Sequence, residues 1–408
     1  MAANEVRSET RGGIRRRAGR YAVPVAVAGV AAATIGLVPA LAASGDPDLP
    51  EITARQLIEK IAASDTRALS GTFRVSTDLG LPALGGLVPG LAGPGGGGDS
   101  TADPSAKLTE LATGTHTLRV AADGPERQRL TLLDGSDEYS LIHNGDDVWA
   151  HDGKSNEVFH EKGAAGGPER HEEPPVTPKE LADRILEAAD GTTSVTVDGT
   201  ARVAGRDAYQ LVIRPEQRGS TVGSVRIAVD AANGTPLKFT LVSAEGGKPV
   251  VDAGFTKVDF SRPAASVFAF EAPKGAKVTE GAAGRADGHP GLPGKNAPED
   301  FGKGFAEGFG KGLPGLGAGA AGKGPEVIGE GWTTILKLDT GAPAPKAGEA
   351  PKELQGLLDS FGDKVTGKFG SGTLFRTKLV NALLTDDGRV YAGAVTKDAL
   401  VDAANAGR

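Results

Sequence analysis

The sequence predicts an α+β fold in which one long, curved antiparallel sheet carries two covering helices and is followed by a small α+β module. Three observations lead to this prediction. Apolar and polar residues alternate through many segments between residues 71 and 260, which is typical of strands with one buried and one solvated face. Only two segments of this region have helical spacing. The chain also has no Cys, so its hydrophobic core alone must hold the fold.

Two segments are predicted to be helices, one from its apolar spacing and one from its N-terminal capping motif. In "ITARQLIEKIAAS" (52–64) the apolar residues recur at three- and four-residue intervals, which indicates one amphipathic helix. In "TPKELADRILEAAD" (177–190) Thr177 and Glu180 have the spacing of a capping box. We therefore expect both segments to lie on the sheet with one apolar face each.

Successive strands are predicted on both sides of the second helix. In segments such as "GTFRVSTD", "THTLRVAADG" and "RQRLTLLDG" every second residue is apolar and points to one side, and further strands are expected at 193–216, 224–261 and 268–273. Two helices cannot cover so wide a face, and an uncovered apolar groove is normally a binding site. The tentative ligand-binding positions on this face are Phe73, Val75, Leu118, Val120, Leu130, Leu132, Leu211, Ile213, Val229, Phe239 and Leu241.

A Gly-rich insertion at 80–105 interrupts the first strands. It contains "GLPALGGLVPGLAGPGGGG", which is too rich in Gly for a regular element but carries several Leu residues. Two interpretations stay open: a disordered insertion, or an apolar flap over a groove.

The segment "VWAHDGKSNEVFHEK" (148–162) concentrates His, Asp and Glu around one Trp, and we interpret it as a β-hairpin rather than a metal site. With a turn at 152–155, His151 is expected opposite Asn156 and His160 opposite Asp147. The two imidazoles would then lie about 13 Å apart at about 3.3 Å per residue. This separation is too large for a shared zinc ion. Trp149 and Val158 are expected to form the packing pair.

A second Gly-rich stretch, residues 275–324, is predicted to be a linker to a small α+β module at 325–408. In this module "ELQGLLDSFGDKV" (353–365) is expected to be a helix, and "TLFRTKLVNALLTDDGRVYAGAV" to be a hairpin that turns at Asp387-Gly388. A final helix is expected in "TKDALVDAANAG".

Composition and missing motifs argue against several classes of protein. The net charge of −7 gives no reason to expect a nucleic-acid partner. His160-Glu161 and His171-Glu172 lack the second His of a zinc-protease motif, and no Gly-x-Ser-x-Gly elbow occurs. "GAGAAGKG" (317–324) ends in Gly where a phosphate-binding loop needs Ser or Thr. We expect no enzyme activity, no catalytic residues, no cofactor and no metal.

The N-terminus, residues 1–43, has the features of an export signal or a membrane anchor. A basic segment with Arg11, Arg15, Arg16, Arg17 and Arg20 precedes the uncharged run 22–43, which ends in small residues as a cleavable signal does. The run is also about long enough to span a bilayer, so a retained anchor stays open. Either alternative places the rest of the chain outside the cytoplasm, secreted or in the cell envelope.

Residues 50–273 resemble the LolA-like periplasmic lipoprotein carriers and the related N-terminal domains of MucB/RseB sensors. The resemblance rests on Gly205-Arg206 followed by "AYQLVIRP", on Val229-Asp230 before "NGTPL", and on the Trp-containing hairpin "DDVWAHDGKSNEVF". It implies a strongly curved, half-open antiparallel β-barrel capped by helices, whose apolar hollow holds acyl chains or peptide segments.

Two functions follow from this resemblance and stay open. The first is a non-catalytic extracytoplasmic carrier or binder of lipid or lipoprotein acyl chains. The second is an envelope-stress sensor or regulator, like MucB/RseB, that acts on a membrane protein partner such as an anti-sigma factor.

The N-terminal pattern generates a prediction that cell fractionation tests. Almost none of the mature protein should be found in the cytoplasm, because a basic segment before an apolar one directs export. N-terminal sequencing would then separate cleavage near residues 42–44 from a retained anchor. Recovery of most of the intact chain from the cytosol would contradict the extracytoplasmic assignment.

Overall fold

A computed structural model describes most of the chain outside the termini and the Gly-rich stretches. The described residues are 46–80, 102, 104, 113–162, 179, 182–183, 186–187, 191–281, 326–340 and 362–407. Residues Leu49–Arg408 form one compact unit. The predicted export segment at 1–43, most of the insertion at 80–105 and most of the linker at 275–324 lie outside the described residues.

The described residues form a large, curved antiparallel sheet of twelve strands that does not close into a barrel. Its strands are β1 (Ala68–Thr77), β2 (Gly114–Asp123), β3 (Arg127–Asp134), β4 (Asp137–Asn144), β5 (Asp147–Asp152), β6 (Glu157–Lys162), β7 (Thr193–Val203), β8 (Arg206–Pro215), β9 (Val222–Asp230), β10 (Pro236–Ser243), β11 (Val251–Asp259) and β12 (Lys277–Glu280). Their spatial order is β12-β6-β5-β4-β3-β2-β1-β11-β10-β9-β8-β7. The neighbours pair antiparallel except β12, which lies parallel to β6.

The pairing of β1 with β11 joins two runs of neighbouring strands, β1–β6 and β7–β11, into this one sheet. The register shifts between Thr72 and Phe73, which marks a β-bulge. Just before the bulge, a Cβ on Gly71 would clash with the carbonyl oxygen of Lys257. The two strands therefore approach so closely that only Gly fits at position 71.

Helix α1 (Ala54–Ala62) agrees with the helix predicted at the start of the domain. Its N-terminus has a capping box, in which the Gln56 N–H donates to the Thr53 hydroxyl at 3.2 Å and the Thr53 N–H donates to the Gln56 side chain at 2.9 Å. The described residues of the second predicted helix, among them Ala182 and Leu186, are also helical. No helix in the described part of the chain is long and apolar enough to cross a membrane.

A buried ion pair stabilises the turn regions of β8 and β9. Asp230 is fully buried, and Arg206 binds both of its carboxylate oxygens, with Nε–Oδ2 at 2.6 Å and Nη2–Oδ1 at 3.1 Å. Burial by itself would raise the pKa of Asp230 above its usual value. Hydrogen bonds from Arg206 and from the backbone N–H groups of Asn233 and Ala232 outweigh burial, so the pKa is lowered overall. Arg206 and Asp230, which belong to two of the motifs that carry the family resemblance, thus form one ion pair.

The chain after β11 does not form the strand predicted at 268–273. Residues Ala265–Phe268 form a short 3-10 helix, and the following residues are extended without a strand partner. Phe268 is buried, and Arg129 on β3 donates to the Val267 carbonyl at 3.1 Å. The alternating apolar residues here pack across one side of the sheet instead of pairing with an edge. The crossing ends in β12, which occupies the first residues of the predicted linker.

A second, six-stranded sheet is built from the C-terminal described residues. Its strands are β13 (Glu326–Ile328), β14 (Ile335–Asp339), β15 (Gly362–Gly367), β16 (Gly370–Arg376), β17 (Asn381–Thr385) and β18 (Arg389–Gly393), in the order β13-β14-β18-β17-β16-β15. Helix α2 (Lys397–Ala406), capped by Thr396, packs its Leu400 into the core of this sheet.

Two details of this region differ from the sequence prediction. Residues 362–365 belong to strand β15 rather than to a helix, because Val365 is needed in the sheet core and pairs opposite Gly372. The remainder of that predicted helix lies outside the described residues. The expected single hairpin consists of three strands, β16 to β18, and its turn at Asp387-Gly388 is the one between β17 and β18.

Polar and apolar contacts join the second sheet to the first. Trp332 donates its indole N–H to the Thr193 hydroxyl at 2.7 Å and its backbone N–H to the Gln217 side chain at 2.8 Å. Ser220 forms an isolated antiparallel bridge with Val395. The two sheets therefore share hydrogen bonds at the start of β7 and in the segment before β9.

The Arg206–Asp230 pair generates a stability prediction. Because the pKa of Asp230 is depressed in the folded protein, ionised Asp230 stabilises the fold above its unfolded pKa of about 3.9, and this contribution is lost as pH falls through the lower folded value. Asp230→Asn should reduce the free energy of unfolding in urea at pH 7 by about 3 kcal/mol, because Arg206 loses its buried partner. The difference from the wild type should shrink below about pH 4.

The control for this prediction is Asp207→Asn. Asp207 pairs with Arg202 on the surface at 2.8 Å, with side chains 44% and 47% exposed. An exposed pair of this kind contributes less than about 1 kcal/mol. Equal losses of stability in the two variants would contradict the special role of the buried pair.

The contact at Trp332 generates a second prediction. Trp332→Ala should lower the free energy of unfolding by about 3 kcal/mol, because a large packed side chain and its hydrogen bond to Thr193 are removed. Val327→Ala is the matched control, since Val327 is 62% exposed on strand β13 and its truncation should cost less than about 0.5 kcal/mol. Urea unfolding measures both changes. A Trp332→Ala variant as stable as the wild type would show that this contact contributes little.

Candidate functional site

Strand register brings the eleven predicted ligand-binding residues onto one face of the twelve-stranded sheet. Phe73 lies opposite Leu118, and Leu118 lies opposite Leu132, through strands β1 to β3. On the other side of the β1–β11 junction, the same alternation continues from β11 through β10 and β9 to Leu211 on β8. Because directly paired residues point to the same side of a sheet, this surface is continuous. We call it the apolar face.

The part of the apolar face on β8 and β9 is covered by helices. Leu57 and Ile58 of α1 form one buried cluster with Leu211 and Val229. Ala182, from the second predicted helix, belongs to the same cluster. Leu211 and Val229, which the sequence predicted to bind a ligand, are therefore core residues beneath the helices.

The part of the apolar face on β10 is in contact with the second sheet. Phe239 and Leu241 cluster with Trp332, Leu379 and Ala394. The hydrogen bonds of Trp332 to β7 and to the segment before β9 hold this contact in place. The C-terminal residues thus occupy a region that the sequence assigned to ligand.

The part of the apolar face on strands β1 to β6 forms a cluster of its own, which we call the β1–β6 cluster. Its residues are Phe73, Val75, Leu118, Leu130, Leu132, Tyr139, Leu141, Ala150 and Phe159. Leu118, Leu132, Tyr139 and Ala150 are buried, whereas the other five keep part of their surface exposed. Exposed apolar surface of this kind often marks a binding site.

One residue of the Gly-rich insertion reaches this cluster. The Tyr139 hydroxyl donates to the Ala102 carbonyl at 3.0 Å, and Ala102 is fully buried. The other described residues of the insertion are Gly80 and Pro104. The rest of the insertion lies outside the described residues, so both interpretations of it stay predictions.

Two of the predicted residues lie on the apolar face but outside these three clusters. Val120 pairs opposite Leu130, and Ile213 pairs opposite Val225. Both are partly buried. The structure therefore brings five of the eleven residues, Phe73, Val75, Leu118, Leu130 and Leu132, together in the β1–β6 cluster.

Sequence reasoning missed four members of this cluster. Tyr139 and Leu141 lie on β4, Ala150 lies on β5 and Phe159 lies on β6. A signal for them was present, because "DEYSLIHN" and "EVFHEK" alternate with period two. Trp149 and Val158, the packing pair that the sequence predicted, lie on the opposite face of the sheet.

The hairpin at 147–162 exists, but its predicted register was wrong by two residues. His151 pairs with Val158 rather than with Asn156, and His160 pairs with Trp149 rather than with Asp147. Asn156 has a positive φ of 53° and belongs to the turn, which shortens the paired part of the second strand. The two His residues are thus diagonal neighbours on one face, about 7–8 Å apart rather than about 13 Å.

This register also replaces the predicted packing pair. The Trp149 ring stacks on the His160 ring, with centroids 3.6 Å apart and planes inclined by 10°. Val158 is fully buried opposite His151. Within the described ranges, no group of three or more His, Cys, Asp or Glu residues has an arrangement that could hold a metal ion.

Comparisons with known proteins agree with the predicted resemblance. The sequence model of the MucB/RseB N-terminal domain matches residues 110–272. None of the curated proteins compared with the chain matches it significantly.

Among solved structures, the complex of MucA and MucB from Pseudomonas aeruginosa is 16% identical, covering 86% of this chain and 96% of that chain with a TM-score of 0.37. An uncharacterized conserved protein from Thermus thermophilus is 13% identical over 56% of this chain and 98% of that chain, with a TM-score of 0.30. A LolA superfamily protein from Nitrosomonas europaea is 12% identical over 54% of this chain and 99% of that chain, with a TM-score of 0.20. The family match confirms, over residues 110–272, the resemblance to the MucB/RseB N-terminal domain that the sequence predicted.

Proposed function

We propose that this protein is a non-catalytic, extracytoplasmic binding protein that takes up acyl chains of lipids or lipoproteins on the β1–β6 cluster. The observation that carries the proposal is the division of the apolar face. Helices cover its β8–β9 part, Trp332 and its neighbours cover its β10 part, and five residues of the β1–β6 cluster keep exposed surface.

The proposal requires that a bound acyl chain bury its methylene groups against the cluster. Burial of each methylene contributes about 0.8 kcal/mol, so a chain of about 12 carbons gains on the order of 10 kcal/mol before ordering costs. Association and ordering cost at least about 4 kcal/mol, which leaves up to about 6 kcal/mol and a dissociation constant of tens of micromolar. Binding of this kind needs no catalytic group, cofactor or metal.

Ala102 lies at the edge of the proposed binding surface. Its carbonyl accepts a hydrogen bond from the Tyr139 hydroxyl at 3.0 Å, next to the partly exposed members of the cluster.

A second candidate function is supported by the match to the MucB/RseB N-terminal domain. In this alternative the protein is an envelope-stress sensor or regulator that contacts a membrane partner, such as an anti-sigma factor, and reports lipid on the same face. Purification of the protein from its own envelope, followed by native mass spectrometry, would separate the alternatives. Bound lipid alone favours the carrier, whereas a stoichiometric membrane protein favours the regulator.

Fatty-acid binding tests the proposed site directly. The full chain should bind cis-parinaric acid, a fluorescent fatty acid, and palmitate should displace it. Leu130→Glu should weaken binding at least tenfold, because a carboxylate would be placed against the bound chain without a partner. Leu130 is preferable to the buried Leu132 or Leu211, since it is partly exposed and tolerates the charge better in the unbound protein.

The matched control is Thr196→Glu, which adds the same charge at an exposed position of β7 on the other side of the sheet. This variant should bind like the wild type, and circular dichroism should confirm that both variants fold. The absence of binding by the folded wild type at high micromolar fatty acid would refute the carrier function. Equal binding by Leu130→Glu would move the site away from the β1–β6 cluster.

A further inference from the structure

His143 on β4 borders the β1–β6 cluster and carries a polar atom without a partner. Its Nε2 is buried and has no hydrogen-bond partner among the described residues. His143 lies two residues from Leu141 on the same strand, so both side chains point to the apolar face, about 7 Å apart. A buried polar atom without a hydrogen bond is unfavourable, so this nitrogen needs a physical explanation.

Strand pairing arranges the apolar face around His143 in two parallel rows that run across β3 to β6. The first, which we call the exposed row, consists of Leu130, Leu141, Ala150 and Phe159. The second, which we call the polar row, consists of Gln128, His143, Val148 and Glu161. Three gaps of about 4.8 Å between strands make each row about 14 Å long. An acyl chain on the exposed row therefore has polar side chains along one border.

The polar row supplies uncharged hydrogen-bonding groups. The Gln128 side chain is exposed, and its amide nitrogen donates to the Pro125 carbonyl at 3.2 Å, which leaves the amide oxygen as an acceptor. In its neutral form an imidazole has one donor and one acceptor nitrogen. A hydroxyl group both donates and accepts, so it can bond to Nε2 of His143 in either tautomer. A carboxylate only accepts.

The charges at this end of the apolar face are mainly negative. Glu161 belongs to the polar row, and Glu126 and Asp146 lie exposed in the adjoining turns. Arg127 points to the other side of the sheet, where it forms an ion pair. Arg67 precedes β1, which lies three strands away from β4. An anionic head group is therefore repelled near the polar row, whereas an uncharged one is not.

His151 provides a comparison within the same strands. Its Nε2 is also buried without a partner among the described residues. However, His151 points to the opposite side of the sheet, where it pairs with Val158 and its ring lies 5.8 Å from the Phe270 ring. His143 instead is partly exposed and lies beside exposed apolar surface. A rotation of this side chain can present Nε2 to a ligand.

We propose that His143 and Gln128 form a head-group subsite for an amphiphile with an uncharged, hydroxyl-bearing head, such as a monoacylglycerol. This inference rests on the proposed function and specifies its ligand class. The acyl chain lies on the exposed row, one hydroxyl bonds to Nε2 of His143, and a second bonds to the amide oxygen of Gln128. The two residues pair directly across β3 and β4, so one glycerol group reaches both.

Displacement of cis-parinaric acid from the full chain tests this subsite. Monolauroylglycerol and laurate are compared at about pH 7, because they carry the same saturated chain and differ only in the head group. We expect monolauroylglycerol to displace the probe at about one tenth of the laurate concentration, since it gains hydrogen bonds and avoids repulsion by the nearby carboxylates.

Two variants identify the residue responsible. His143→Phe keeps a ring of similar size but removes both nitrogens, so it should weaken binding of monolauroylglycerol about fivefold and leave binding of laurate nearly unchanged. This variant should be at least as stable as the wild type in urea, because an unpartnered buried nitrogen is removed. His116→Phe is the control. His116 lies on the same face opposite Val75, but its Nε2 bonds to the Thr113 carbonyl at 2.7 Å, so this variant should keep the wild-type preference.

The outcomes separate the subsite from acyl-chain binding itself. A preference for monolauroylglycerol that is lost in His143→Phe and kept in His116→Phe supports the subsite. Equal displacement by the two ligands in the wild type overturns the subsite and leaves acyl-chain binding intact. A preference that persists in His143→Phe also overturns it. If the folded wild type binds neither the probe nor the two ligands, the proposed function fails and the subsite fails with it.

Discussion

The pairing of β1 with β11 is the constraint on which the rest of the structure depends. It joins strands that lie more than 170 residues apart in sequence and makes one sheet from two runs of neighbouring strands. Gly71 permits the close approach, and the register shift at Thr72/Phe73 places Phe255 opposite Phe73. Without this junction the apolar face would be two separate surfaces, each of half the width.

The apolar face then serves three purposes along its width. Its β8–β9 part is core beneath α1, and its β10 part anchors the second sheet through Trp332. The β1–β6 cluster keeps exposed apolar area and touches the Gly-rich insertion at Ala102. The same kind of residue is therefore buried in two regions and partly exposed in the third. The contacts of His160 with Asp147 and Glu280 lie on the opposite side of the same strands.

Much of the first sheet was predictable because period-two alternation is a local property of the chain. The alternation identified β1, β2 and β3 and placed Phe73, Leu118 and Leu132 on a common side. The register of the hairpin at 147–162 was not predictable in the same way, since it depended on Asn156 entering the turn. The strand predicted at 268–273 was wrong for a related reason. Its alternating apolar residues pack onto the sheet and do not pair with another strand.

The sequence by itself determined the large curved antiparallel sheet, the alternation that creates the apolar face, and the resemblance to the MucB/RseB N-terminal domain. These features depend on residue type and on spacing between near neighbours, which are written in the chain. Only the tertiary structure decided which part of the apolar face is covered, because that depends on where α1 and Trp332 come to lie. It likewise decided that His160 meets Glu280, 120 residues further along, since a parallel strand added after a long crossing leaves no periodic signal in the sequence.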